Sequence, residues 1–476
     1  MMKLGLMSTL LCILAVPVIA PAQSLCPAGV ASDKLVCLIP QVYGPNGLVL
    51  QNTNSQVLGV APLQNSLPEV LSPLNSSIGR QAAILPLASP SSGITFSFDS
   101  VSKAFTSSND SFGPILGERA DTIGKSRVFV GFSYQQFKFD KLDGVSLEDL
   151  PAVYTQADTF ASNINGGNGA LCSLTSPDPA SNRNECGFIR DIITTKNSLE
   201  IKLHQYTTFV TFGLTNSIDV SMAIPIQNVR MGMRSEARLI PLSSSTVHQF
   251  PTNPTTCPSP CRVSSASKSG TASGIGDVIF RVKGTVSKKE KSVTALGVDV
   301  RVPSGDPLNF LGSGAAGFKP FLIWSYHTRI SPHAFVGYEI NGSSKIAGDI
   351  TKGTKEKLPG QLAYTVGADA WITRNFSVAF DLLGDAVFQA QHLTATTTVQ
   401  PAACASQACT TLVATPPPSD PNLLSGTASY NVLNSSVGAK FKPFDNFLVT
   451  GNVMFRMNQG GLRANTVPLV GVSYTF

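Results

Sequence analysis

The chain has 476 residues, a formal charge of +6 and only 13% charged residues, far below the roughly 25% of soluble domains. That is too apolar for disorder, and the charge is too mild and unclustered for a nucleic-acid binder. No stretch of about 18 uninterrupted apolar residues follows the N-terminus, which argues against a transmembrane helix.

Lys3, the apolar run Leu4–Ile19 and Ala20-Pro21-Ala22 read as an n-region, an h-region and an A-x-A cleavage site. Residues 1–22 are therefore expected to be a secretory signal peptide. Cys12 leaves with it, so eight of the nine cysteines remain, an even number for an oxidising compartment. They fall as sequence neighbours: Cys26 and Cys37, Cys172 and Cys186, Cys257 and Cys261, Cys404 and Cys409. Four local disulfides are the simplest framework. The short Cys-x3-Cys and Cys-x4-Cys spacings lack a nearby histidine, so no metal site is expected.

Residues 23–125 are rich in Ser, Pro, Asn and Gln, with one short strand-like run, Ile94-Thr95-Phe96-Ser97-Phe98. Three readings stay open for this region: a plug entering a barrel, a periplasmic extension, or an extra hairpin.

From residue 126 to 476 the chain reads as strands. Period-two alternation predicts twelve, at 126–140, 195–213, 219–230, 274–286, 293–303, 319–330, 333–341, 361–372, 376–389, 430–441, 446–457 and 467–476. Short connections such as Leu214–Ile218 and Thr373–Asn375 alternate with long ones such as 141–194, 231–273 and 390–429. That asymmetry is expected of an outer-membrane barrel with short periplasmic turns and long external loops. The fold class is an all-β transmembrane antiparallel β-barrel with an N-terminal extension or plug.

Arg or Lys facing lipid near the midplane costs about 2–4 kcal/mol, so the charged parity must face the lumen. The predicted lumen set is Arg281, Asp299, Arg301, His327, Arg329, Glu339, Asp369, Asp381, Lys440 and Arg456. The same reasoning turns Glu200, Lys202, His204 and His333 inward. It turns Leu199, Ile201, Leu203, Trp324, Tyr326, Phe376, Phe447, Tyr474 and Phe476 outward. Inward charges either fill the interior with ion pairs or line a polar path. The chain ends Gly471-Val472-Ser473-Tyr474-Thr475-Phe476. Gly471, Tyr474 and Phe476 resemble the C-terminal signal read by the barrel-insertion machinery, and a strand ending the chain can close a barrel.

Three motifs carry a family resemblance: Thr215-Asn216-Ser217-Ile218-Asp219 running to Pro225, Gly274-Ile275-Gly276-Asp277-Val278, and Pro303-Ser304-Gly305-Asp306. In this order the chain resembles the outer-membrane barrel family associated with phenol-degradation pathways, which is distantly similar to the fatty-acid and toluene transport barrels. The resemblance covers about residues 126–476. It implies passage of small hydrophobic or aromatic compounds across the outer membrane of a Gram-negative-type bacterium.

No phosphate-cradling or dinucleotide loop is evident, so no cofactor is expected. Nor is catalysis: five histidines are present, and none is expected on an outward face beside a serine. The expected partners are outer-membrane lipid, the insertion machinery and a small-molecule solute, with no nucleic acid. The leading function is a diffusion channel. The alternative is a sealed barrel whose long external loops bind at the surface.

Overall fold

The computed structural model describes residues 26, 33–45, 48, 51–52, 74, 77–79, 96–99, 104–107, 112–154, 192–241, 248–348, 353–399, 419–444 and 446–476. Its core is a closed antiparallel barrel of twelve strands. In chain order these are β1 (Val128–Leu142), β2 (Ile192–Gly213), β3 (Ile218–Ile240), β4 (Val278–Lys288), β5 (Ser292–Val302) and β6 (Gly317–Tyr326). There follow β7 (Ile330–Asn341), β8 (Gln361–Thr373), β9 (Phe376–Val399), β10 (Ser419–Phe444), β11 (Phe447–Arg456) and β12 (Thr466–Thr475). Each pairs with its chain neighbour, and β12 closes onto β1 with Leu469 opposite Gln135 and Thr475 opposite Phe129. The last residue joins the closure: Phe476 N–H donates to the Val128 carbonyl at 2.8 Å. Closure removes the free edges that lipid would leave unpaired. Among the described residues no helix is long and apolar enough to cross a membrane; the strands make the crossing.

Period two sorts the side chains. Phe280, Val282, Leu296, Val300, Phe318 and Leu322 are exposed on the outer wall. Arg281, Lys283, Asp299 and Arg301 are buried between them on the inner wall. An apolar outer belt on a closed barrel suits lipid, and with the loop asymmetry places the protein in the outer membrane.

All twelve predicted strands are present, but several run further. β3 continues to Ile240 and pairs with an additional strand, Val263–Ile275. β9 and β10 extend to Val399 and back from Ser419. The segment expected to open a strand at Gly274 instead ends that additional strand. It breaks at Gly276-Asp277, and β4 starts at Val278. The short run at Phe96 is one arm of a hairpin with Ala104–Ser107.

The polarity of the outer end of β2 is opposite to expectation. Leu199, Ile201 and Leu203 are buried inside, with Phe137, Phe139, Met231 and Met233. Glu200 is exposed and Lys202 and His204 are part-exposed on the other face. The strands have left the lipid there, so the outward face meets water. The inward face meets Leu35, Val36, Leu38 and Ile39 of the N-terminal segment.

Candidate functional site

The N-terminal chain touches the barrel at both ends. At the loop end, Leu35–Cys37 form a single 3-10 turn, and Cys26 is bonded to Cys37. Lys34 Nζ sits 2.8 Å from Asp306, and Asn309 accepts from the Leu35 N–H. Lys268 donates to Gln41, and Tyr43 O–H donates to Ser235 at 2.8 Å. Burial pushes the Tyr43 hydroxyl up to about 12, with the nearby Glu236 charge adding to it and the Ser235 hydrogen bond opposing it. The bond between Asp306 and Lys34 keeps the ammonium above its usual value.

At the opposite, short-turn end, residues 112–125 lie across the lumen. Lys440 on β10 donates to the carbonyls of Phe112 and Pro114 at 2.8 and 2.7 Å. Lys283 on β4 donates to the carbonyls of Arg119 and Asp121 at 3.0 and 2.6 Å. In a ring of twelve, β4 and β10 stand on opposite walls, so two buried ammonium groups hold one stretch of backbone from either side.

Between these anchors the contacts step round the wall. Gly117 N–H donates to Asp381 on β9, and Arg119 lies 3.6 Å from Asp369 on β8. Ala120 N–H donates to Ser325 on β6, and Ile123 N–H to Asp219 on β3. Glu118 pairs with Arg281. Asp121 meets His327 at 3.0 Å. Burial pushes the Asp121 carboxyl up, but the His327 hydrogen bond and the Arg119 and Lys283 charges outweigh it and hold the group below the usual carboxylate range. The segment leaves through Gly124, at φ +95°, where a Cβ on Gly213 would lie 1.8 Å from the Gly124 carbonyl oxygen. Only glycine lets the two backbones pass this closely.

On the loop side of the segment is a cavity of about 190 Å³, floored by Leu116 and Glu118. A charged belt crosses its wall through consecutive strands. Arg281 grips Asp299 with two bonds, at 2.6 and 2.8 Å, and Lys319 reaches the same carboxylate at 3.3 Å. Arg301 reaches Asp277 at 3.0 Å and Glu339 at 2.9 Å, and Gln361 donates to Glu339 at 2.8 Å. Asp277 also accepts from the Ser313 and Gly305 N–H groups, tying the 303–316 loop to the strand break. Such pairs must be satisfied from several sides, because an unpaired charge in a closed interior costs several kcal/mol.

The predicted lumen residues thus have separate fates. Arg281, Asp299, Arg301 and Glu339 come together in the belt. Asp369 and Asp381 flank buried His333, at 3.5 and 2.6 Å. Lys440 and His327 meet the N-terminal segment. Arg456 is half-buried against Asp140 at 2.7 Å. Arg329 is a correction: β6 stops at Tyr326, and Arg329 is exposed in the following turn, where Thr328 N–H donates to Ser331. A charge in that turn is hydrated and has no reason to enter the barrel. His204 is a second correction, facing outward with the Tyr134 hydroxyl 2.8 Å away.

Lys319 and the chain Gln135–Gln205–Gln227, whose amides bond in series at 3.2 and 3.1 Å, escaped the sequence reading; Asp277 and Lys283 share the inward parity of Arg281, but neither their partners nor those of Asp219 could be read. Glu118, Arg119 and Asp121 carried a legible signal, three charges within four residues of a charge-poor region.

Trp324, Tyr326, Tyr474 and Phe476 lie exposed on the outer wall, and Phe376 and Phe447 are part-exposed there. Tyr474 and Phe476 pack edge to face at 4.6 Å, and Gly471 pairs with both Thr450 and Ser133. Cys257 is bonded to Cys261. Cys172, Cys186, Cys404 and Cys409 lie outside the described residues.

Scanning the chain against protein-family models and curated proteins gives no match. Among solved structures it is similar to an outer membrane channel from Pseudomonas putida F1, at 9% identity and a TM-score of 0.41. That alignment covers 75% of this chain and 98% of the other. It is also similar to a Pseudomonas aeruginosa FadL homologue, at 10% identity and a TM-score of 0.30, covering 74% of this chain and 90% of the other. The barrel wall described above, rather than these distant likenesses, carries the assignment as an outer-membrane barrel.

Proposed function

We propose that this protein is an outer-membrane diffusion channel for small hydrophobic or aromatic molecules, gated by its own N-terminal segment. The phenol-degradation-type motifs at 215–225, 274–278 and 303–306 support that substrate class. The observation that carries the gate is the pair of buried lysines, Lys283 and Lys440, on opposite walls, both spent on main-chain carbonyls of residues 112–121. Carbonyl ligands recognise backbone, so the lysines hold a strand of chain in place whatever its side chains are. Hydrogen bonds to charged groups contribute roughly 1.5–3 kcal/mol each. Four such bonds together come to roughly 6–12 kcal/mol, so the segment stays in place until something that favours the open state by a comparable amount displaces it.

A planar-bilayer measurement tests this. Wild-type protein should pass little current, and the Lys283→Met/Lys440→Met variant should pass several-fold more. Adding Ala120→Cys and Ser325→Cys, whose backbone N and Oγ are 3.0 Å apart in the wild type, should suppress the gained current until a reductant is supplied. Heat-modifiable gel mobility establishes that each variant is folded. A fully open wild type, or a folded double variant no more conductive than wild type, would overturn the gate. The covered outer mouth, with residues 33–45 bonded to Asp306, Asn309 and Ser235, favours a second reading in which the barrel is sealed and its loops bind at the surface. That reading expects no solute flux even from the double variant.

A further inference from the structure

We propose that the cavity above the 112–125 segment is a binding site for an organic cation: a protonated amine or guanidine attached to a small apolar or aromatic body. This rests on the channel reading and narrows its substrate class.

The charges around the cavity are not balanced. Five carboxylates (Glu118, Asp277, Asp299, Glu339 and Asp385) line it against three cations, Arg281, Arg301 and Lys319. Each cation is already engaged: Arg281 by Asp299 and Glu118, Arg301 by Asp277 and Glu339, Lys319 by Asp299. An anionic solute would have to take one of these cations from a carboxylate that then remains in the closed interior uncompensated.

Acceptors, by contrast, are left over. The Oε2 of Glu118 and the Oε1 of Gln361 are buried with no hydrogen-bond donor among the described residues. The two side chains are more than nine-tenths buried, and they stand on different elements around the same cavity. Asp385 lines it too, and its carboxylate accepts no hydrogen bond among the described residues. Its charged surroundings are Lys319, Glu339 and Arg463. Arg463 is turned to the Leu433 carbonyl and Asn434. Buried acceptors without donors are costly and make the surroundings of the cavity more negative; a ligand ammonium answers this with one positive charge and brings up to three donors to the part-exposed Asp385 carboxylate.

The rest of the lining suits the body of such a ligand. Phe209, Phe335, Leu311 and Leu383 supply apolar surface. A ring carried on an amine would bury against these while its charge faces Asp385.

The test uses three probes sharing one body: 2-phenylethylammonium, 2-phenylethanol and phenylacetate. Calorimetric binding to the detergent-solubilised full-length protein should favour the cation over both others by about tenfold, equivalent to about 1.4 kcal/mol. Asp385→Asn should remove most of that preference without changing 2-phenylethanol binding, and Asp385→Glu should retain it. Equal binding of all three probes, a preference for phenylacetate, or a folded Asp385→Asn that keeps the cation preference would overturn the site. Liposome uptake of the same probes through the Lys283→Met/Lys440→Met variant separates the two proposals. No uptake of any probe sinks the channel, whereas uptake without cation preference, alongside unselective binding, sinks only the site.

Discussion

The middle of the barrel and the outer ends of β2 and β3 are built from the same alternating strands with opposite polarity. In β4 and β5 the charges Arg281, Asp299 and Arg301 point in, and Phe280, Val282, Leu296 and Val300 point out. Near Leu199–Leu203 and Met231–Met233 the apolar residues point in, and Glu200, Arg230, Arg234 and Glu236 point out. The strand imposes only that neighbours face opposite ways. Which way is set by what lies on each side. Lipid outside and a polar lumen inside give one arrangement; water outside and the N-terminal cap inside give the other. The level at which polarity reverses marks the outer limit of the lipid belt, near exposed Tyr206 and Ile226.

Substitutions at matched positions can break this comparison. The largest effect is expected at Asp299, the shared partner of Arg281 and Lys319. Asp299→Ala leaves Lys319 without its carboxylate and Arg281 with Glu118 alone in the closed interior and should cost about 3–5 kcal/mol, read as a lowered urea midpoint. An Asp299→Ala variant as stable as wild type would mean the belt is freely hydrated. The next effect contrasts the two outward faces. Val282→Arg puts a charge into the lipid belt and should cost about 2–4 kcal/mol. Arg234→Leu, on an outward face beyond the belt, should stay within about 0.5 kcal/mol. If both changes cost the same, the polarity reversal does not mark the lipid boundary.

Where the sequence was legible follows the same physics. Inside the belt one face must be apolar, so twelve strands could be read from alternation alone. Beyond it both faces can be polar. The Ser-, Gly- and Thr-rich strands at Val263–Ile275, and the far ends of β9 and β10, carry no alternation and read as loops. Alternation distinguishes two faces without saying which meets lipid, so Leu199, Ile201 and Leu203 read as outward from sequence alone. Arg329 reads as inward because a charge at a strand end resembles a lumen charge, whereas it lies in the turn after Tyr326. The disulfides Cys26–Cys37 and Cys257–Cys261 follow simple sequence neighbourhood. The use of Lys283 and Lys440 was not legible, since their partners are main-chain carbonyls from a segment more than 150 residues away and no residue type announces that.

The smallest effect concerns the cap that fills the outer end. Tyr43 is buried there, with its hydroxyl on Ser235 and its ionisation pushed up to about 12. Tyr43→Phe removes one hydrogen bond, worth about 0.5–1.5 kcal/mol, from a cap that Lys34 and Gln41 still hold. The pH dependence should be the more telling readout. The folded cap favours the neutral phenol, and an unfolded tyrosine ionises near pH 10. Cap stability from this group is therefore complete below pH 10 and is lost as pH rises towards about 12. Phenolate absorbance should show a late tyrosine that is missing in Tyr43→Phe. Proteolysis of the 33–45 segment should accelerate over the same range in wild type, and less so in the variant. A Tyr43 that titrates with the exposed tyrosines would mean the cap is open to water, and the outer end would then lack the dry interior that explains its inverted faces.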